Sequence, residues 1–82
     1  MSNQNKAVVF VRLKEGVLDP QGVTIHKSLQ QMGYDDFVSI RSGKFFELEI
    51  KADASEIDRK IEEVSTKLLS NPVIENYTVE KA

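Results

Sequence analysis

Apolar residues follow two rhythms along this chain, and the switches between them lay out its elements. Residues 7–13 carry Ala7, Val8, Val9, Phe10, Val11 and Leu13, interrupted only by Arg12. So short and apolar a run, rich in β-branched residues, predicts a strand. Its lack of polar alternation predicts cover on both faces. The rhythm changes at Pro20. Ile25, Leu29 and Met32 recur at i, i+4 and i+7, the spacing of one helical face, so residues 20–32 are predicted to form a helix with a buried stripe. Gly33 is the expected C-terminal cap. Two strands follow, residues 37–41 and 44–51, joined at Ser42 and Gly43, a hairpin signal. In the second, Phe46, Leu48 and Ile50 alternate with Phe45, Glu47 and Glu49. Asp53 and Glu56 have the spacing of a capping box and open a second helix. Its apolar residues Ile57, Ile61, Val64 and Leu68 are the strongest periodic signal in the chain. Ser70, Asn71 and Pro72 stop it, because proline disfavours a helical residue before it. Residues 73–79 make the last strand, and 80–82 a short tail. Residues 1–6 are polar and expected to be a disordered lead-in, leaving one domain over 7–82.

Strand, helix, strand, strand, helix, strand is the order of a ferredoxin-like βαββαβ fold of the α+β class. It predicts a four-stranded antiparallel sheet with two helices on one face and the first strand at the centre. Val8 or Phe10, together with Phe45, would then lie on the open face. Apolar side chains gathered on a solvated face mark a contact surface. Such a fold hosts many unrelated functions, so function has to come from sites.

The connection at residues 15–22 is the most specific stretch. Asp19 suits a helix N-cap, and Pro20 falls at the first helical position, where its missing N–H costs nothing. Gly16 lets the incoming strand turn. Gly22 is unexplained by propensity, since glycine in a helix costs up to ~1 kcal/mol against alanine; it points to close approach by another backbone or a partner.

Bulk composition removes several classes of function. The 82 residues include no cysteine and one histidine, which excludes disulfides, thiolate chemistry and a histidine-rich metal cage. A net charge of -2 argues against broad binding of nucleic-acid phosphates. Gly43-Lys44-Phe45-Phe46 faintly resembles an RNA-stacking strand, but adjacent rings point to opposite faces, and Glu47 and Glu49 would repel phosphates. No segment approaches the ~20 apolar residues of a membrane span, nor does the N-terminus read as a secretory signal, so the expectation is a cytoplasmic protein. The adjacent Asp35 and Asp36 read as a turn, His26 has no catalytic partner nearby in sequence, and no phosphate-binding glycine loop is present. No active site is expected. A small-molecule regulatory domain, with its ligand at the 16–22 loop, is one reading that stays open.

Taken together, Leu13-Lys14-Glu15-Gly16-Val17-Leu18-Asp19-Pro20-Gln21-Gly22, Val38-Ser39-Ile40-Arg41-Ser42-Gly43-Lys44, Glu47-Leu48-Glu49 and Leu68-Leu69-Ser70-Asn71-Pro72-Val73-Ile74-Glu75 resemble the PurS family. These are small subunits of phosphoribosylformylglycinamidine synthase, a glutamine-dependent, ATP-consuming ligase of purine biosynthesis. The resemblance implies a non-catalytic subunit that associates with itself as a dimer or dimer of dimers. It implies too that the chain bridges a glutaminase subunit and a large synthetase subunit and supports ammonia transfer between them. ATP, magnesium and glutamine would be used by those partners, with no cofactor in this chain. Asp19, Gln21, Gly22, Arg41, Lys44 and Asn71 become candidates for the partner interface, and Val8, Phe10 and Phe45 for self-association. For Arg41 and Lys44 a solvated basic hairpin is the competing reading.

Overall fold

The computed structural model describes residues 4–81. Strand β1 (Gln4–Leu13) leads to helix α1 (Pro20–Gln31), strand β2 (Gly43–Lys51), helix α2 (Ala54–Val64) with a π-helical turn (Ser65–Leu69), and strand β3 (Glu75–Lys81). The sheet has the order β2-β1-β3 with both pairings antiparallel. β1, the most continuously apolar segment, takes the centre. Val9 lies opposite Phe46 on one side and Val79 on the other; Phe10 lies opposite Phe45 and Thr78. Because side chains alternate between faces, Ala7, Val9 and Val11 share a face with Phe46, Leu48, Ile50 and Tyr77. Here α2 packs, and its Ile57 and Ile61 complete the buried core.

The expected four-stranded sheet is not formed: among the described residues the sheet has three strands. Residues 37–41 join no ladder, and the reason lies in their polar partners. His26 Nε2 lies 2.6 Å from the Phe37 carbonyl oxygen; that oxygen can only accept, so Nε2 donates. The Ser42 backbone N–H donates to Asp19 Oδ2 at 2.6 Å and its hydroxyl to Asp19 Oδ1 at 2.7 Å. The pairs 26–37 and 19–42 run antiparallel, so the segment returns along α1 instead of lying beside β2.

Further differences have local causes. β1 begins at Gln4, so residues 4–6, expected in a disordered lead-in, are paired with Lys51, Ile50 and Glu49. Backbone pairing needs no apolar side chain, and Lys6 opposite Glu49 is a favourable cross-strand pair. Residues 1–3 and Ala82 lie outside the described residues. At the second helix, Asp53 makes no side-chain cap bond: the Glu56 N–H donates to the Asp53 carbonyl oxygen at 2.9 Å, and the Glu56 carboxylate is engaged by Arg59 at 2.9 Å, so neither half of the expected capping box forms. The π-helical turn rotates the apolar face, so Leu69 packs on the core while Leu68 is 78% exposed. Asn71 and Pro72 turn the chain, and the last strand is Glu75–Lys81 rather than residues 73–79.

α1 is the element least absorbed by the fold. Asp19 caps it, accepting from the Gly22 N–H at 3.1 Å, and Gly33 closes it at φ 89°. Yet its stripe is not buried: Ile25 is 40% and Met32 68% exposed. No residue of 12–45 belongs to the core or packs against it. Residues 19–42 therefore form an arm, a helix with its returning strand-like segment, that leaves the end of the sheet. The molecule measures 53 × 28 × 14 Å. A ten-residue strand of ~33 Å followed end to end by a twelve-residue helix of ~18 Å accounts for the long dimension.

Candidate functional site

The base of the arm gathers most of the candidate interface residues. Asp19 is the hub. Three donors converge on its carboxylate: the Ser42 N–H, the Ser42 hydroxyl and the Gly22 N–H. Hydrogen bonds to the charged form favour it, and those from Ser42, backbone first, then that from Gly22, hold the Asp19 pKa below its ordinary 3.8 against the opposing cost of desolvation.

Gly22 sits beneath this carboxylate. A Cβ there would lie 2.5 Å from Asp19 Oδ2 and 2.5 Å from the Ile40 carbonyl oxygen, too close for any side chain. The backbone that approaches Gly22 belongs to the chain itself, so its missing side chain needs no second subunit to explain it. Gly16, at φ 87°, makes the turn that brings Asp19 over Ser42; left-handed φ favours glycine.

Arg41 fastens the same corner from the other side. Its Nη2 donates to the Leu13 carbonyl at 2.9 Å and to the Lys14 carbonyl at 3.4 Å. Lys44 lies 3.8 Å from Glu75 Oε2, with its ammonium 5.7 Å from the Phe46 ring centre. Both cations thus have partners within the chain, and both remain exposed. Asn71 closes its own loop: its side-chain oxygen accepts from the Val73 N–H at 3.1 Å, and its N–H donates to Glu75 Oε1 at 2.7 Å. Glu75 links this loop to Lys44. Gln21 is exposed on the first turn of α1 and lines a recess of about 420 Å³ with Asp19, Ser42, Lys44 and Glu75.

Val8, Phe10 and Phe45 lie elsewhere, on the sheet face away from α2. The Phe10 and Phe45 rings are 6.0 Å apart, and Arg12 sits 5.4 Å over Phe10 while bonding Thr78 at 3.2 Å. Phe45 is 59% exposed. A shallow cavity of about 380 Å³ on this side is lined by both rings, Arg12 and Arg41. Sequence reasoning did not assign Ser42 and Ile40 to the site; a serine 23 residues beyond the cap it completes has no local signal.

Chemically, the arrangement binds and braces. No cluster of three metal-ligating side chains occurs among the described residues, and the carboxylate at the hub is saturated by donors from its own chain. What faces outward is an apolar sheet face with arginines beside it, and an arm carrying exposed apolar residues.

Comparison with known proteins places the chain. Residues 6–82 match the family model PurS, described as phosphoribosylformylglycinamidine (FGAM) synthase. The chain is 43% identical over 75 residues to the phosphoribosylformylglycinamidine synthase subunit PurS of Bacillus subtilis, covering 92% of this chain and 89% of that one. With the corresponding subunit of Synechocystis it shares 38% over 81 residues, 98% of this chain and 81% of the relative. Its structure resembles that of Bacillus subtilis PurS with a TM-score of 0.86 at 41% identity, covering 95% and 98% of the two chains. It likewise resembles a chain in the structure of PurLQS from Thermotoga maritima, with a TM-score of 0.87 at 29% identity and coverage of 96% and 98%. The chain belongs to the PurS family.

Proposed function

We propose that this chain is the small subunit of an FGAM synthase in purine biosynthesis, active as a structural partner rather than through an active site of its own. The observation that carries the reading is the near-full-length likeness to a chain of the Thermotoga maritima PurLQS structure, coverage being 96% and 98%. In this reading the chain associates with itself and bridges a glutaminase subunit and a large synthetase subunit in the cytoplasm. ATP, magnesium and glutamine are handled by those partners. Bridging helps to keep ammonia away from bulk water between the two sites, where protonation would remove its nucleophilicity. Exposed apolar and cationic surfaces beside a braced corner suit such contact-making.

Reconstitution tests it. Glutaminase and synthetase subunits are mixed with and without the chain, and glutamine-dependent FGAM formation is measured. Product formation is expected to require the chain. Equal activity in its absence, with both partners shown to be active, would reject the reading.

A further inference from the structure

The sheet face away from α2 carries a set of groups that the subunit reading leaves without a task. Phe10 and Phe45 lie opposite each other on β1 and β2, so the second ring that Phe46 could not supply to this face comes from the neighbouring strand. Arg12 covers the Phe10 ring at 5.4 Å, which leaves the Phe45 ring, 59% exposed, as the open platform. The two rings are 6.0 Å apart, so a planar group resting on Phe45 has a guanidinium close beside it.

Both arginines here are held in place by neutral groups. Arg12 donates to the Thr78 hydroxyl through Nη1, and Arg41 to the Leu13 and Lys14 carbonyls through Nη2 alone. A guanidinium has five donors, so each fork keeps donors for an anion. No carboxylate lines the recess of about 380 Å³ that the arginines share with the rings, a volume within the ~300–1,000 Å³ of small-molecule sites. Further along the same face the charge reverses. Glu47 and Glu80 flank Val8, two residues from Phe10 and so roughly 7 Å away along the strand. Arginine forks suit a phosphate, which they grip bidentately, and an exposed ring suits the flat face of a base. The carboxylates beyond would repel the next phosphate of a nucleic-acid strand. The recess therefore fits one nucleotide and not a chain of them.

We propose that this recess binds a purine nucleoside monophosphate, its base stacked on Phe45 and its phosphate held by Arg12 and Arg41. Stacking tolerates every base, so the preference for a purine comes from its larger ring face. The inference goes beyond the subunit reading and does not depend on it. A subunit seated on this face of the sheet would compete with the nucleotide.

Titration of the full-length chain with adenosine 5′-monophosphate, followed by calorimetry and by amide NMR shifts, tests the site. Binding is expected to saturate, to shift the amides of Phe10, Arg12 and Phe45, and to be at least about tenfold tighter than that of adenosine or of ribose 5-phosphate. Phe45→Leu keeps an apolar side chain and removes the ring. It should bring the affinity for the nucleotide down to that for ribose 5-phosphate and leave the latter unchanged. Arg12→Gln should weaken the nucleotide and ribose 5-phosphate alike and leave adenosine unchanged. Both side chains are exposed, so circular dichroism should match that of the unmodified chain. Equal affinity of the unmodified chain for the nucleotide and ribose 5-phosphate would overturn the proposal, as would full nucleotide affinity in Phe45→Leu or no binding at millimolar concentration. Hexa-adenylate binding more than about tenfold tighter than the monophosphate would also overturn it, assigning the face to single-stranded nucleic acid instead. The titration uses no partner subunit, so its failure leaves the FGAM synthase reading standing, and the reconstitution above tests that reading separately.

Discussion

Asp19 is where one side chain decides the shape of a whole segment. Its carboxylate caps α1 through Gly22 and holds the returning strand through Ser42, so cap and closure are one interaction. Its depressed pKa gives a signed expectation. A carboxyl whose folded pKa lies below its unfolded value stabilises fully above the unfolded value, and that contribution is lost as pH falls through the folded one. The corner should therefore hold at pH 5 and loosen as pH drops below Asp19's ordinary 3.8. The check is a carboxyl titration by NMR together with hydrogen exchange at the Ser42 amide. The Asp19 midpoint should fall below 3.8, and Ser42 exchange should accelerate over the same acid range. In Asp19→Asn the Ser42 amide should exchange faster at neutral pH and show no acid step. An Asp19 midpoint at or above the ordinary value would remove the proposed cause.

Elements obeyed the sequence where their signals were local and departed from it where a distant partner intervened. The cap at Asp19, the glycine stop at Gly33 and the alternation of Phe46, Leu48 and Ile50 depend on a few neighbouring residues, and they were legible. Residues 37–41 have a strand's composition, but the segment is tied at Phe37 by His26 and at the adjoining Ser42 by Asp19, which no short window of sequence reveals. The stripe of α1 was equally visible, but what it would cover was not, because periodicity states that a face is apolar without naming what it packs on. Of the candidate site, the residue types were legible while their partners were not: Arg41 and Lys44 turned out to brace their own chain. The π-helical turn gives this element-scale argument a measurable consequence. A regular helix would bury Leu68 with Ile57, Ile61 and Val64, whereas the turn substitutes Leu69. Leu69→Ala should lower unfolding stability by about 2 kcal/mol, as truncation of a packed leucine does. Leu68→Ala, at 78% exposure, should stay within about 0.5 kcal/mol. Chemical denaturation of the two variants measures both, and the reverse order would mean that the helix continues without the turn.

At the scale of the whole molecule, the two faces of the sheet have different tasks. The face under α2 holds the fold together with Val9 and Val11 fully buried. The opposite face contributes little to that core, yet it displays Phe45 and Phe10 side by side with Arg12 over the ring. Aromatic rings with arginine nearby are the composition of interface centres rather than of solvated strands. If this face meets another subunit of the synthase, shrinking one ring should weaken assembly more than folding. Phe45→Thr replaces one strand-favouring residue with another and loses mainly the contact with Phe10, worth roughly 1 kcal/mol. Full covering of a phenylalanine by a partner contributes about 1.5–3 kcal/mol, and each 1.4 kcal/mol is about tenfold in affinity. The concentration of Phe45→Thr chain giving half-maximal glutamine-dependent activity should therefore rise at least about tenfold, while its thermal midpoint falls by only a few degrees. Arg12→Lys, which keeps the charge but not the planar guanidinium over Phe10, should shift the same curve in the same direction by a smaller factor. Unchanged half-maximal concentrations for both variants would show that this face looks into solvent in the assembled enzyme, and that the arm and its corner make the contacts instead.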